Sequence, residues 1–499
     1  MARATTDIRL FIISDLHLGG CADAGGRPGS RLFSAQAALA DFIDWVRAQG
    51  TESEAVELVV NGDIVDFLAD DPAEDGSLHA RIFSGNETEA IATLEAIRRT
   101  NAPVFEALAR FLAAGHRLTL LLGNHDVELS LPGVRRHLET CLDAQGRDLK
   151  FVYDGEAYTV GRVLIEHGNR YDPWNFIDHD ALRRERSVRS RGEAGLATEQ
   201  EHLRFEPPAG TLLVIHFLNR IKRHYRFVDL LKPEEEAVLP LLMALSKGKC
   251  WKRLDDIMTS TTVARRRMPW RLQRLVQTDK DRNLAGQAPD VPASLADLAG
   301  RLGLDKALFP VSRENDLAGG DEDWTPWEMV TNSIQMGALA LGFADRNGVP
   351  FRRLHEALIR LNLIDDSFCL DQEKKQYLDP ARELIDQREF QVVVFGHTHL
   401  PKQVPGRFDR GFRTCYINTG TWADVMRLPQ AVLERNEAGQ AAVAQFCEAL
   451  EANDHARYVQ RYLAYAEILV RDGVTRQADL RFWCGAGRER ETDLTGYPG

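Results

Sequence analysis

Aspartates, histidines and one asparagine stand in five short blocks, each directly after an apolar run. Asp15-Leu16-His17 follows 10–14, Gly62-Asp63-Ile64-Val65-Asp66 follows 58–61, Gly123-Asn124-His125-Asp126 follows 118–122, His167-Gly168 follows 163–166, and Gly396-His397-Thr398-His399 follows 392–395. These side chains are oxygen and nitrogen donors suited to Mn, Fe or Zn, and without thiolates among them a structural zinc site is disfavoured. Within Asp15-x-His17 and His397-x-His399 the partners are two apart, so an extended backbone would point both side chains the same way, toward one centre. The glycines let the chain turn sharply beside a crowded site.

The elements that must position these blocks follow from the pattern between them. Short β-branched or leucine-rich runs at 10–14, 58–61 and 118–122 alternate with helical stretches at 35–49 and 87–114, the pattern of an α/β layer fold with mainly parallel strands. Ligands of open α/β sheets bind outside the carboxyl ends of the strands, which is where all the blocks fall. Closely spaced strands at 151–153, 157–160 and 163–166 suggest a change to antiparallel pairing. Strand signals resume at 392–395 and 413–418, and 467–470 and 475–482 flank the turn-forming pair Asp472-Gly473.

Between about 176 and 390 the β signal fades. Apolar residues at helical spacing at 212–231, 234–245, 254–276, 295–302, 327–343 and 352–363 predict an all-helical insertion. The expected organisation is therefore a core of 1–175 and 391–499, with 176–390 as a cap rooted beside the candidate ligands. Two insertion segments are basic: Arg220, Lys222, Arg223 and Arg226, and Arg265, Arg266, Arg267, Arg271 and Arg274. Three readings are open for them: a solvated face, a clamp for an anionic substrate, or a helix lying on an anionic membrane surface.

Bulk properties narrow the classes. A net charge of -12 argues against non-specific nucleic-acid binding by an all-basic surface, and seven scattered cysteines without a CxxC pair give neither a disulfide framework nor a thiolate zinc site. The first apolar run is too short for a secretory segment, and no stretch reaches a membrane span, so a cytoplasmic chain, peripheral to the membrane at most, is expected. No Walker loop precedes a helix.

Asp-x-His, Gly-Asp-x-x-Asp, Gly-Asn-His-Asp, His-Gly and Gly-His-x-His in series resemble the calcineurin-like metallophosphoesterases over about 1–175 and 391–425. The stretch from Tyr416 to Trp422, Tyr-Ile-Asn-Thr-Gly-Thr-Trp, resembles the strand and turn that follow the family's last histidine block. The resemblance implies a double-sheet sandwich core flanked by helices and two divalent or mixed-valence metal ions. Asp15, His17 and His399 would hold one ion, Asn124, His167 and His397 the other, and Asp63 would bridge them, one carboxylate oxygen to each. It makes His125, beside Asp126, the group that contacts the transferring phosphoryl oxygens and protonates the leaving group. Asp66 and Asp126 would orient ligands or His125.

The implied activity is hydrolysis of a phosphate ester, a phosphodiester or pyrophosphate bond, by in-line attack of a hydroxide bridging the two metals. Asn169 and Arg170, with Tyr171 and Asp172, are candidate substrate contacts at the root of the insertion. A helical insertion at this position is similar to that of the lipid-precursor pyrophosphatases of lipid A synthesis, which typically carry arginine where this chain has His125. The alternatives are a nuclease-type phosphodiesterase acting on nucleic acid, and a non-catalytic scaffold that retains the fold.

Overall fold

A computed structural model describes residues 7–22, 29–51, 54–69, 83, 86–191, 205–208, 210–211, 214–222, 225–232, 241, 245, 354–355, 358–359, 368–387, 390–406, 414–485 and 489–490. The helices expected at 254–276, 295–302 and 327–343, and Arg265, Arg266, Arg267, Arg271 and Arg274, lie outside these residues. The chain divides into two compact units. One comprises Met1–Asn219, Ser367–Asp424 and Gln460–Gly499, the other Arg220–Asp366 and Val425–Val459.

The first unit opens with β1 (Asp7–Ile13), α1 (Gln36–Arg47), β2 (Glu54–Asn61), α2 (Glu87–Thr100), α3 (Ala102–Ala113), β3 (Arg117–Leu121), α4 (Pro132–Cys141) and β4 (Leu149–Val152). It continues through β5 (Tyr158–Val160), β6 (Val163–Ile165) and α5 (His179–Arg189). After β7 (Leu231–Lys232) of the second unit come α6 (Lys375–Asp386), β8 (Val392–Phe395), β9 (Pro401–Pro405) and β10 (Cys415–Thr419). The second unit then adds β11 (Val425–Arg427) and α7 (Glu437–Glu451), β12 (Val459–Gln460) sits at the boundary, and β13 (Ala464–Arg471), β14 (Val474–Trp483) and β15 (Glu489–Arg490) close the first.

Among the described residues the first unit holds two sheets, ordered β15-β14-β13-β1-β2-β3-β4 and β5-β6-β8-β10-β9. In the first, β1, β2, β3 and β4 run parallel, so their carboxyl ends emerge side by side. In the second, β6, β8 and β10 do the same. The expected antiparallel change is β5 against β6, while β4 stays parallel to β3. Asp472 and Gly473 both have positive φ, the conformation of a two-residue turn that matches strand twist, and they join β13 to β14 as the pair predicts.

Strand alternation sorts the core. Phe11, Ile13, Leu58, Val60, Leu118 and Leu120 pack with the apolar stripes of α1 (Leu39, Phe42, Ile43, Val46) and α3 (Val104, Phe105, Leu108, Phe111). Residues three and four apart line one helix face, and each large side chain so buried contributes about 1.5–3 kcal/mol. Successive strand residues point to opposite faces, so buried Leu10, Ile12 and Val59 turn the other way. On the second sheet, Leu164, Val393, Phe395 and Tyr416 pack with Tyr377, Leu378 and Ala381 of α6. Hydrogen bonds tie sheet to sheet: Tyr158 OH donates to Glu57 Oε1 at 2.6 Å, an oxygen that also accepts from Thr119 Oγ1 of its own sheet, and Asn61 Nδ2 donates to the Glu166 carbonyl at 2.9 Å.

Among the described residues of 176–390, the two-residue strand β7 is not helical, and it pairs in parallel with β11 inside the second unit. Helices α5 and α6 of that segment belong to the first unit. Among the described residues no helix is long and apolar enough to cross a membrane.

Candidate metal centre

The parallel ladder between β1 and β2 continues beyond the strands. Asp15 N donates to Gly62 O at 3.1 Å, His17 N to Asp63 O at 2.9 Å and Leu18 N to Ile64 O at 3.1 Å. The backbone here is not extended, contrary to the expectation from the two-residue spacing: Asp15, His17, Asp63, His397 and His399 have φ of 52°, 46°, 48°, 69° and 62°. Two steps along a strand would separate the side chains by about 6.6 Å. Left-handed turns draw them closer, and His17 Nε2 lies 3.9 Å from Asp15 Oδ1.

Such backbone persists only where its surroundings over-determine it. His397 N donates to Asp15 Oδ2 at 2.9 Å, and Thr421 Oγ1 to the Asp15 carbonyl at 2.6 Å. Ser14 Oγ shares a hydrogen bond of 2.7 Å with Thr419 Oγ1, and Asn418 Nδ2 donates to the Gly396 carbonyl at 2.8 Å and to Thr398 Oγ1 at 3.0 Å. The turn after β10 thus fixes the Asp15 and His397 loops together. At Gly123 any Cβ would collide with the Asp63 carboxylate and backbone N, so only glycine allows the Asn124 loop to come this near.

The side chains fall into overlapping groups: Asp15 with His17 and His399, Asp63 with His167 and His397, and His17 with Asp66 and His125. In the first, Asp15 Oδ1 faces His399 Nε2 at 3.4 Å, and the His17 and His399 Nε2 atoms are 3.0 Å apart. In the second, His167 Nε2 lies 3.2 Å from Asp63 Oδ2. That same oxygen is 3.8 Å from His17 Nε2, so Asp63 Oδ2 faces both groups. The sequence reading assigned one carboxylate oxygen to each cation. Here Oδ1 is occupied instead, accepting the His125 backbone N–H at 2.8 Å.

A second layer of partners aims the imidazoles. Asp66 reaches His17 Nδ1 at 3.5 Å with Oδ2 and His125 Nδ1 at 3.2 Å with Oδ1. His167 Nδ1 meets the Asn61 carbonyl at 2.8 Å, and His397 Nε2 meets Asp172 Oδ2 at 3.0 Å. Occupying one ring nitrogen fixes the tautomer and presents the other to the centre. Asp126, expected beside His125 in the chemistry, is fully buried, and its oxygens accept N–H groups of Gly123 and Ile64 at 2.7 Å each. It braces the two loops that carry Asn124 and Asp63.

The buried carboxylates and imidazoles of the cluster shift one another. Burial alone would raise Asp15, but His167 and His399 hold it down to about 2. Burial opposes ionisation of Asp63 as well, yet His167, His125 and His17 keep it well below the usual range. Burial disfavours a charged His167, and the carboxylates of Asp63 and Asp15 nevertheless push it up to about 10.

The donor atoms also pass a direct test of fit for a pair of metal ions. Buried polar atoms are almost always hydrogen-bonded, and exceptions need an explanation. Asp15 Oδ1 and His167 Nε2, both in these groups, are buried without such a partner, as is Asn124 Oδ1 of the neighbouring loop, and a cation would satisfy such atoms.

Of the candidate substrate contacts, Asn169 is buried and spends Nδ2 on the Asn175 carbonyl at 2.9 Å, a turn-forming role. Arg170 pairs with Glu166 at 3.4 Å and keeps 54% of its side chain exposed. Tyr171 donates to Glu166 at 2.6 Å and stacks on Phe395. Asp172, read from sequence only as a turn or pocket residue, is the carboxylate that orients His397. Asn418, Thr419 and Thr421 position the loops, and the only signal for them was their place after the last histidine block.

Compared with known families, residues 8–228 match the model for calcineurin-like phosphoesterase. This match indicates metal-dependent hydrolysis of phosphate esters. No curated protein matches the chain.

Proposed function

We propose, with the calcineurin-like phosphoesterase match as premise, that the chain is a two-metal hydrolase of a phosphodiester or pyrophosphate bond. Asp15, His17 and His399 would hold one ion, Asn124, His167 and His397 the other, and Asp63 would be shared. The observation that carries this reading is the single Asp63 oxygen facing His17 of one group and His167 of the other. When bound, the metal pair supplies positive charge for the phosphoryl oxygens and acidifies water.

The rest falls to the chain's own groups. His125 keeps 21% of its side chain exposed while Asp66 holds Nδ1, so its ring reaches the open side of the centre. There it hydrogen-bonds a phosphoryl oxygen and passes a proton to the departing oxygen. Asp66 orients it.

His397 depends on Asp172. Asp172→Asn keeps the size and removes the charge, and is expected to lower affinity for one ion roughly 10–100-fold while the other stays bound. Metal analysis after dialysis against graded metal buffers checks this, and equal retention of both ions would argue that Asp172 serves only the turn.

The substrate class is tested by profiling manganese-loaded protein against nucleic acids, cyclic nucleotides, nucleoside diphosphate conjugates and lipid pyrophosphates. Turnover of at least one class that disappears with chelator and returns with metal is the expected result. A metal-loaded protein inert toward all of them and toward an aryl phosphodiester would favour the scaffold alternative.

A further inference from the structure

Arg135 on α4 and Arg186 on α5 converge on one aromatic ring. Their guanidinium carbons lie 3.7 Å and 5.0 Å from the centre of the Tyr153 ring. Arg186 Nη1 donates to the Tyr153 carbonyl at 3.3 Å, whereas Arg135 Nη1 is buried without a hydrogen-bond partner. Among the described residues neither forms an ion pair with a carboxylate: Asp143 pairs with Arg147, Glu185 with Arg189, and Asp154, the carboxylate whose charge acts on Arg186, is exposed and accepts the Glu156 N–H.

The positive charge acts on the neighbouring histidine as well. Burial, then Arg186 and Arg170, push His179 down to about 4, and its Nδ1 is also buried without a partner. Burial and the Arg135 charge likewise weaken the hold of Arg186 on its proton. Two guanidiniums withdrawn from water beside each other are costly unless an anion joins them, and one tyrosine face offsets only part of that cost. The planar guanidinium fork matches the paired oxygens of a phosphate, as it does those of a carboxylate.

The place is informative too. β4 runs parallel to β3, and Leu122 N donates to Val152 O, so Tyr153 lies beyond the same sheet end from which Asn124 emerges. We propose that Arg135 and Arg186 form an anion subsite that receives a second, non-scissile phosphate of the substrate. This rests on the phosphoester-hydrolase reading and narrows the substrate to molecules carrying a phosphate in addition to the bond that is cleaved.

The test has two arms, both on the full chain as purified. Calorimetric titration with inorganic phosphate should show one bound ion fewer per chain in Arg135→Gln than in the parent, and the same in Arg186→Gln. Arg135 is the safer variant because Arg186 is buried. In the second arm, the para-nitrophenyl ester of thymidylate is compared with the same ester phosphorylated on its free sugar hydroxyl. The parent should favour the doubly phosphorylated ester by about 10-fold or more in KM, the scale of one lost charge-assisted hydrogen bond, and Arg135→Gln should abolish that preference.

An unchanged phosphate count in Arg135→Gln, or a parent that treats the two esters alike, overturns the subsite. Should neither ester be hydrolysed, the hydrolase reading fails while the phosphate count still decides whether the subsite exists.

Discussion

Asp63→Asn is expected to bind neither ion of the pair firmly and to lose turnover by about 10³-fold or more. The loss follows from several kcal/mol of charge stabilisation at 1.36 kcal/mol per decade. Asparagine keeps an oxygen where Oδ1 accepts the His125 N–H, so the Gly123-Asn124-His125 loop retains its anchor. It removes the negative charge from the position that His17 and His167 face at 3.8 Å and 3.2 Å. Since both ligand groups lean on that one oxygen, both ions should go. Elemental analysis of the dialysed variant decides the matter: two ions still bound per chain would refute the shared role.

His125→Ala should behave in the opposite manner, keeping metal while turnover falls by roughly 10²–10⁴. The contact that links this residue to Asp63 is its backbone N–H, which alanine preserves. The imidazole stands edge-on to His17, with ring centres 4.7 Å apart, and it is held by Asp66. Its removal therefore takes away a proton donor and a phosphoryl contact, leaving the ligands in place. The drop should be larger for an ester with a poor leaving group, whose departing oxygen needs the proton, than for a nitrophenyl ester. Equal turnover of parent and variant on the poor leaving group would exclude His125 from the chemistry.

The legible part of this site lay in residue type and order. Five polar blocks behind five apolar runs located the ends of β1, β2, β3, β6 and β8, and the structure gathers these blocks at one end of the paired sheets. Conformation was not legible, because a two-residue spacing reads as extended backbone and nothing local announces a left-handed turn at Asp15 or His397. That one Asp63 oxygen faces both histidine groups was hidden as well, since the other oxygen is taken by a backbone N–H sixty-two positions away. The way Asp126 acts was not legible either, since its side chain turns inward to two backbone donors of the loops that carry Asp63 and Asn124. Asp172 was underrated because its partner His397 is 225 residues distant, and no local pattern announces a contact made only in the fold. Similarly, α5 and α6 pack in the clusters of the first unit with apolar stripes like those of any helix, so the sequence does not announce which unit they join.

The left-handed backbone at Asp15, His17, Asp63, His397 and His399 restricts which metals this centre can ever be adapted to hold. Aspartate, asparagine and histidine are the side chains that most readily occupy positive φ apart from glycine, and all five positions carry the first or the last of these. Cysteine and glutamate have no such tolerance, and each would add about 1–2 kcal/mol of backbone strain at any of these sites. Point substitution can therefore exchange one nitrogen or oxygen donor for another with little penalty, but a sulfur-rich shell for a softer ion would have to rebuild the loops themselves. The backbone acts as a filter on the ligand alphabet, and it filters in favour of the borderline and hard cations.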